Sequence, residues 1–308
     1  MAWLQLRAHI APEHAEPLEE LLTAEGAQAI TLEDAVDDPI LEPERGTTPL
    51  WNQTVLTGLY DDLEGVEEMI ARVREQWAAT LGGDDPCPVI EYEILADRDW
   101  SREWMDGFEP LRMGERLWIV PSWFDPPAPE AVNLMLDPGL AFGTGTHPTT
   151  ALCLHWLDEM AGRGLLEGRR AMDIGCGSGI LAIAALKLGA AHALGTDIDP
   201  QALIASRDNA ERNGVPPERF DLAPAEPAPE GRFDIVLANI LAAPLLDLSA
   251  MIANRVPPGG HFALSGILSH QADQIADAYR DRGLYVEPPR EREGWVCITG
   301  FRPQDLPL

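Results

Sequence analysis

Residues 170–189 hold the feature that most limits what this chain can become. A short run from Arg170 ends in Asp173-Ile174-Gly175-Cys176-Gly177-Ser178-Gly179, and Ile180 to Leu188 then continues as an almost unbroken apolar segment. A strand that ends in a glycine turn and enters a buried helix is the start of a strand–helix–strand unit. Alternate glycines let the backbone pass close to a ligand with no Cβ in the way. The rest of the chain extends the pattern. Strands are predicted at 170–174, 192–197, 219–223, 233–238, 260–266, 284–287 and 295–301, and helices at 179–189, 200–213, 241–254 and 269–282. This alternation predicts an α/β fold with a mainly parallel, doubly wound sheet, whose ligand site lies at the carboxyl ends of the strands.

The order of residues in the turn narrows the ligand. A dinucleotide site reads G-x-G-x-x-G, whereas this run is Asp-x-Gly-x-Gly-x-Gly. A pyrophosphate is repelled by a carboxylate at Asp173; a ligand carrying an ammonium and a sulfonium is not, which points to S-adenosylmethionine with Asp173, Gly175 and Gly177 around it. Asp173 acts on it directly, through water, or by fixing the turn. Asp197 ends the next strand, where a carboxylate accepts from both ribose hydroxyls. Asp199 competes for that role but also stands where it would cap a helix beginning at Pro200. Asn239 closes the strand that starts at Phe233 and faces the same crevice, or alternatively caps the helix predicted at 241–254. The run Asp137 to Thr150 is a glycine- and threonine-rich loop leading into a helix, suited to closing over a ligand. In it Phe142 can cover the adenine or the sulfonium, and the threonines, Thr146 among them, can bond the amino-acid end. His147 reads as a loop residue rather than a base or metal ligand, because no second ligand stands at useful spacing; no metal is expected.

Ahead of this lies a different pattern. Strands at 3–10, 27–32, 54–60 and 89–95 and helices from Pro12 to Glu25 and from Leu63 to Leu81 give strand-helix-strand-strand-helix-strand, a small α+β ferredoxin-like domain. It shows no catalytic constellation and reads by fold analogy as a recognition module. Residues 1–95 are assigned to it, 96–110 to a linker helix bearing Trp100 and Trp104, and 111–308 to the ligand-binding domain.

Charge and cysteine usage bear on partners and setting. The chain has 51 acidic against 22 basic residues, a formal net charge of -29, and Lys187 is its one lysine. With no basic run, direct nucleic-acid binding is disfavoured. Such a surface speeds encounter with a basic macromolecule, or else it reflects adaptation to salt or drift in base composition. Cys87, Cys153, Cys176 and Cys297 form no C-x-x-C pair, which argues against a zinc site or disulfide framework. No signal-peptide core stands at the N-terminus, and no apolar run approaches the ~20 residues of a membrane helix. A cytoplasmic protein with no membrane partner is expected.

Together these motifs resemble the class I S-adenosylmethionine-dependent methyltransferases, with their Rossmann-like doubly wound sheet. More narrowly, Asp137-Pro138-Gly139-Leu140-Ala141-Phe142-Gly143-Thr144-Gly145-Thr146-His147-Pro148-Thr149-Thr150 resembles the signature of the bacterial family that methylates large-subunit ribosomal protein L11. Asp173 to Gly189, Gly195 to Pro200 and Ala238 to Leu241 resemble it too, and the likeness spans essentially the whole chain. The chain departs from that family near Gly162-Arg163-Gly164 and in its scarcity of lysine. The resemblance implies a protein-lysine N-methyltransferase that trimethylates lysine ε-amines and the N-terminal α-amine of ribosomal protein L11. It implies cofactor contacts at Thr150, Gly175, Asp197 and Asn239, and an N-terminal domain that recognises the substrate. Asn239 is the catalytic candidate, orienting the amine in line with the methyl–sulfur bond. Enzymes acting on amide or base nitrogens carry Asn-Pro-Pro-Tyr here; Asn239-Ile240-Leu241-Ala242 suits a roomier pocket for an aliphatic amine. The rival readings are a methyltransferase acting on RNA, a release factor or a small molecule, a non-catalytic binder of the cofactor, and a nicotinamide dehydrogenase, the last disfavoured by Asp173.

Overall fold

The structure, a computed structural model, describes residues 3–36, 50–61, 65–81, 86–95, 109–137 and 147–304. It divides into two units, residues 1–105 and 106–308. The predicted linker helix falls almost wholly outside the described residues, as do Phe142 and Thr146.

In the first unit β1 (Trp3–Ile10), α1 (Ala15–Ala24), β2 (Ala29–Asp34), β3 (Thr54–Tyr60), α2 (Val66–Leu81) and β4 (Ile90–Leu95) follow the predicted order. The sheet runs β2-β3-β1-β4, every pair antiparallel, which is the ferredoxin-like arrangement. Leu4, Leu6, Ala8 and Ile10 alternate onto one face of β1, and this face meets Leu18 and Leu22 of α1 and Val73 and Trp77 of α2. Helix α1 ends where Gly26 takes a positive φ of 98°, as a C-terminal glycine does.

The second unit holds two sheets. Strands β5 (Leu111–Arg112), β6 (Leu117–Val120) and β7 (Val132–Met135) make a small one. The main sheet orders β8 (Arg170–Ile174), β9 (His192–Asp197), β10 (Phe220–Pro224), β11 (Ile235–Asn239), β12 (His261–Leu268), β13 (Tyr285–Val286), β14 (Arg290–Arg292) and β15 (Trp295–Phe301) as β10-β9-β8-β11-β12-β15-β13, with β14 on β15. The pairs from β10 to β12 are parallel and those made by β15 antiparallel. One face packs on α3 (Pro148–Gly162) and α4 (Ile180–Lys187). The other packs on α6 (Ala242–Asp247), α7 (Ser249–Arg255) and α8 (Ala272–Arg280). Helix α5 (Pro200–Arg212) follows β9. Every residue from Ile180 to Leu186 is buried, as expected of a helix apolar on all sides.

Two local differences from the predicted elements are informative. The single helix predicted at 241–254 is two short helices meeting at Leu248, whose backbone leaves the helical region at φ -88°, ψ 1°. The strand β14 was not predicted. It forms a hairpin with β15 through Glu293-Gly294, both at positive φ (53° and 78°), the backbone that a two-residue turn matched to sheet twist requires.

Candidate active site

The chain lays down β8, β9 and β10 in one direction across the sheet, then returns to place β11 on the far side of β8. The carboxyl ends of β8 and β11 therefore part at a topological switch point, where open α/β sheets form their crevice. Gly175, Asp197 and Asn239 all stand at or just past strand ends around it.

Gly175 follows β8 with φ 70°, and a Cβ there would collide with the Ile240 side chain that follows β11. Its own N–H and that of Cys176 both donate to Thr196 O, at 2.8 and 3.0 Å. Gly177 has φ 53°. Gly179 occupies the N-cap of α4 at φ 78°, with no side chain to bond the free N–H groups of the first turn. Asp173 takes over that task from inside the sheet: its Oδ2 accepts from Ala182 N at 3.2 Å. The acid before the glycines thus fixes the turn, one of the roles open to it from sequence. It is 1% exposed, and its Oδ1 is buried without a partner. Burial raises its pKa to about 7, against the stabilising Ala182 hydrogen bond, and the charge of Asp197 pushes the same way as burial.

Asp197 and Asp199 differ in their partners. Asp199 caps α5, accepting from Gln201 N at 2.9 Å. Asp197 accepts from Gly177 N at 2.9 Å through Oδ2 and from Asp199 N at 3.0 Å through Oδ1. A carboxylate offers about four lone-pair sites, so each oxygen keeps one free.

Asn239 does not cap a helix. The N-cap of α6 is Leu241, with no side-chain bond, while Asn239 Nδ2 donates to Thr150 Oγ1 at 3.2 Å. Its Oδ1 is buried and unpartnered. The cap reading fails because Ile240 N is drawn to Ser265 O of β12 at 3.1 Å, which carries the strand past Asn239. Gly266 permits that approach: at φ 84°, a Cβ would run into the Ile240 backbone.

Thr150 is fully buried in the first turn of α3. His147 is the N-cap of that helix, with Nδ1 2.8 Å from Thr149 Oγ1 and accepting from Thr149 N at 3.4 Å. Its ring packs edge-on to Trp295, with centroids 5.1 Å apart, and burial lowers its pKa. Replacing His147 by Ala is expected to cost about 1 kcal/mol of stability, the usual worth of a helix cap, with turnover kept within a few-fold. Urea titration and initial rates check this; a loss of ~10² or more in turnover would return His147 to the role of base.

Thr150, Asn239, Gly175, Gly177, Asp173 and Asp197 are thus brought to one end of the sheet. Sequence reading missed the residues that hold them there. Ser206 and Asn209 bond the carbonyls of Gly177 and Ser178, each at 2.9 Å. The polar i, i+3 spacing on α5 was their only sequence signal. No group of His, Cys, Asp and Glu suited to a metal occurs among the described residues.

The whole chain also has relatives. Residues 2–303 match the family model described as ribosomal protein L11 methyltransferase (PrmA). A protein named ribosomal protein L11 methyltransferase from Chromohalobacter salexigens is 65% identical over 303 residues, covering 98% of this chain and 100% of its own. Its counterpart of that name in Pseudomonas aeruginosa is 53% identical over 305 residues, 99% and 100% of the two chains. The solved structure titled ribosomal protein L11 methylase, from Lactobacillus delbrueckii subsp. bulgaricus, aligns with a TM-score of 0.56 at 32% identity, over 64% of this chain and 100% of that one.

Proposed function

The chain belongs to the ribosomal protein L11 methyltransferase family, and from that premise we propose that it transfers methyl groups from S-adenosylmethionine to lysine ε-amines and the N-terminal α-amine of ribosomal protein L11, up to trimethylation. The observation that carries this reading is Asn239: an amide whose nitrogen is held by Thr150 and whose oxygen is buried without a partner at the switch-point crevice. An orphaned buried acceptor costs free energy unless something fills its need, and an amine N–H does so.

The residues present fit the cofactor. Gly175 and Gly177 offer backbone free of Cβ atoms, Asp197 keeps acceptor capacity for a ribose diol, and Asp173 and Asn239 each hold an unpartnered oxygen. Thr150 closes the same end of the crevice, and Phe142 and Thr146 belong to the proposed covering loop. S-adenosylmethionine, when bound, supplies a methyl group on a sulfonium, whose departure leaves a neutral thioether, so no general acid is needed.

What the protein must do is align a neutral amine. Free lysine has a pKa near ~10.4, and entry into a closed crevice favours the neutral form. Asn239 Oδ1 accepts one N–H of the unmethylated or monomethylated amine, which leaves the nitrogen lone pair free to point along the methyl–sulfur axis; the neutral dimethylamine of the third transfer has no N–H to give and is aligned by the crevice walls alone. Each transfer yields an ammonium that must shed its proton to water before the next. In this reading residues 111–308 hold the chemistry, residues 1–95 recognise the protein substrate, and 96–110 link them. The net charge of -29 favours a basic protein over nucleic acid. No helix among the described residues is long and apolar enough to cross a membrane. Free thiols at all four cysteines agree with a cytoplasmic setting.

The test is methyl transfer from tritiated S-adenosylmethionine to purified ribosomal protein L11, followed by intact-mass analysis. Mass gains in multiples of three methyl groups are the expected result. Cofactor binding without transfer would redirect the search to other basic proteins or to the non-catalytic reading.

A further inference from the structure

One face of α5 carries polar side chains that the chemistry above does not use. Ser206 is fully buried; its hydroxyl donates to Gly177 O at 2.9 Å and lies 3.4 Å from Cys176 Sγ. Asn209 Nδ2 donates to Ser178 O at 2.9 Å. Asn213, at the C-cap of the helix, donates from Nδ2 to Met135 O and accepts at Oδ1 from Met135 N, both at 2.7 Å. It also reaches back to Asn209 O at 2.8 Å. An amide that both gives to and takes from the backbone of one residue substitutes for a neighbouring strand, here at the end of β7. Beside it Arg212 pairs with Asp137 at 3.0 Å, and the other Asp137 oxygen accepts from Ser122 N at 2.7 Å.

Positions 206, 209 and 213 lie at helical spacing on one side of α5. One end of this row grips the glycine turn after β8. The other grips the β7 stem, from which the chain enters the glycine- and threonine-rich run at Asp137. At 1.5 Å per residue the two grips are about 10 Å apart along a rigid rod. We propose that α5 is a spacer that sets the glycine turn and the β7 stem at a fixed separation, making Asn213 and Ser206 positioning residues for cofactor binding. The inference rests on the reading that the crevice takes S-adenosylmethionine. A carbonyl held by Ser206 or Asn209 cannot rotate, so the adjoining peptide groups of the turn keep one orientation toward the crevice. Removing Asn213 frees the stem without touching any residue assigned to the cofactor.

The experiment compares wild type with Asn213→Ala, Asn213→Asp and Ser206→Ala. It measures the Kd for S-adenosylhomocysteine by calorimetry, kcat at saturating cofactor, melting temperature, and amide hydrogen exchange. The Asp variant keeps the size of the side chain and the acceptor for Met135 N, so it serves if the Ala variant fails to fold. Expected are a Kd weakened about tenfold with kcat at saturation changed less than about twofold, and faster exchange at Gly177–Gly179 when only Asn213 is altered. Folded variants with lowered melting temperature but unchanged Kd would overturn the proposal and leave Asn213 a stabilising residue only. Wild-type protein that binds no S-adenosylhomocysteine would overturn the cofactor reading instead. Exchange at Gly177–Gly179 would then decide the spacer by itself: no response to the Asn213 substitutions sinks it.

Discussion

Asn239→Ala is expected to lower kcat for methylation of a lysine substrate about a hundredfold, the scale of loss when a reacting group is misaligned by about an ångström. The fold should survive. The lost bond is a single 3.2 Å contact to Thr150, and truncation also removes the unpartnered buried oxygen, whose desolvation the native protein carries at a cost. Stability should therefore change by no more than about 1 kcal/mol. Two companion variants separate alignment from mere space. Thr150→Val leaves Asn239 in place but removes the contact that decides which end of the amide faces the crevice, so kcat should fall less, about tenfold. Asn239→Asp keeps an acceptor but adds a charge that favours the ammonium form of the substrate. Its rate should therefore rise toward wild type only at higher pH. Single-turnover rates at saturating cofactor across pH 7–10 read all three. An Asn239→Ala enzyme with unchanged kcat would remove Asn239 from the chemistry.

Asp173→Asn should change how stability depends on pH. The native carboxyl is raised to about 7 by burial, with the Asp197 charge adding to it and the Ala182 hydrogen bond opposing it. In the unfolded chain an Asp titrates near ~3.9. Below both values each state holds the proton and the group contributes no slope. Between about 4 and 7 the native state keeps a proton that the unfolded state has lost, so stability falls as pH rises; above 7 the full cost remains. A carboxyl whose titration moves from about 4 to about 7 on folding costs about 4 kcal/mol at most. Asn keeps an oxygen for Ala182 N and has no titration. The stability of the variant relative to wild type should thus rise by up to that amount between pH 4 and 8. Urea midpoints at several pH values for both proteins test it, since every other titrating group is common to the two. Parallel curves would mean that the native carboxyl ionises as it does in the unfolded chain.

The division between the two kinds of information follows from particular residues. The glycine turn, the strand–helix alternation and the order of the N-terminal elements were legible because they are local: alternation, apolar periodicity and glycine spacing act over a few residues. The Glu293-Gly294 turn before Trp295 was legible in principle, but Glu in place of Asn or Asp weakens the hairpin signal. The double reading of Asn239 had no local answer. Cap and crevice residue look alike until Ser265, 26 residues ahead, takes the Ile240 N–H.

By itself the sequence placed Gly175, Asp197 and Asn239 at the carboxyl ends of parallel strands, since a strand that ends in a polar residue beside a glycine turn has few places to put it. The tertiary structure alone decided what each one does there. Asp173 caps α4 because Gly179, which had to be glycine for its positive φ, has no side chain to cap with. Asp199 caps α5, Asp197 binds the glycine turn through Gly177 N, and His147 is held by Thr149 and Trp295. Ser206, Asn209 and Asn213 become the support of the site. The bonds of Asp197, Ser206, Asn209, Asn213 and Asn239 join residues 20 to 89 positions apart, and only the folded sheet brings such partners within reach.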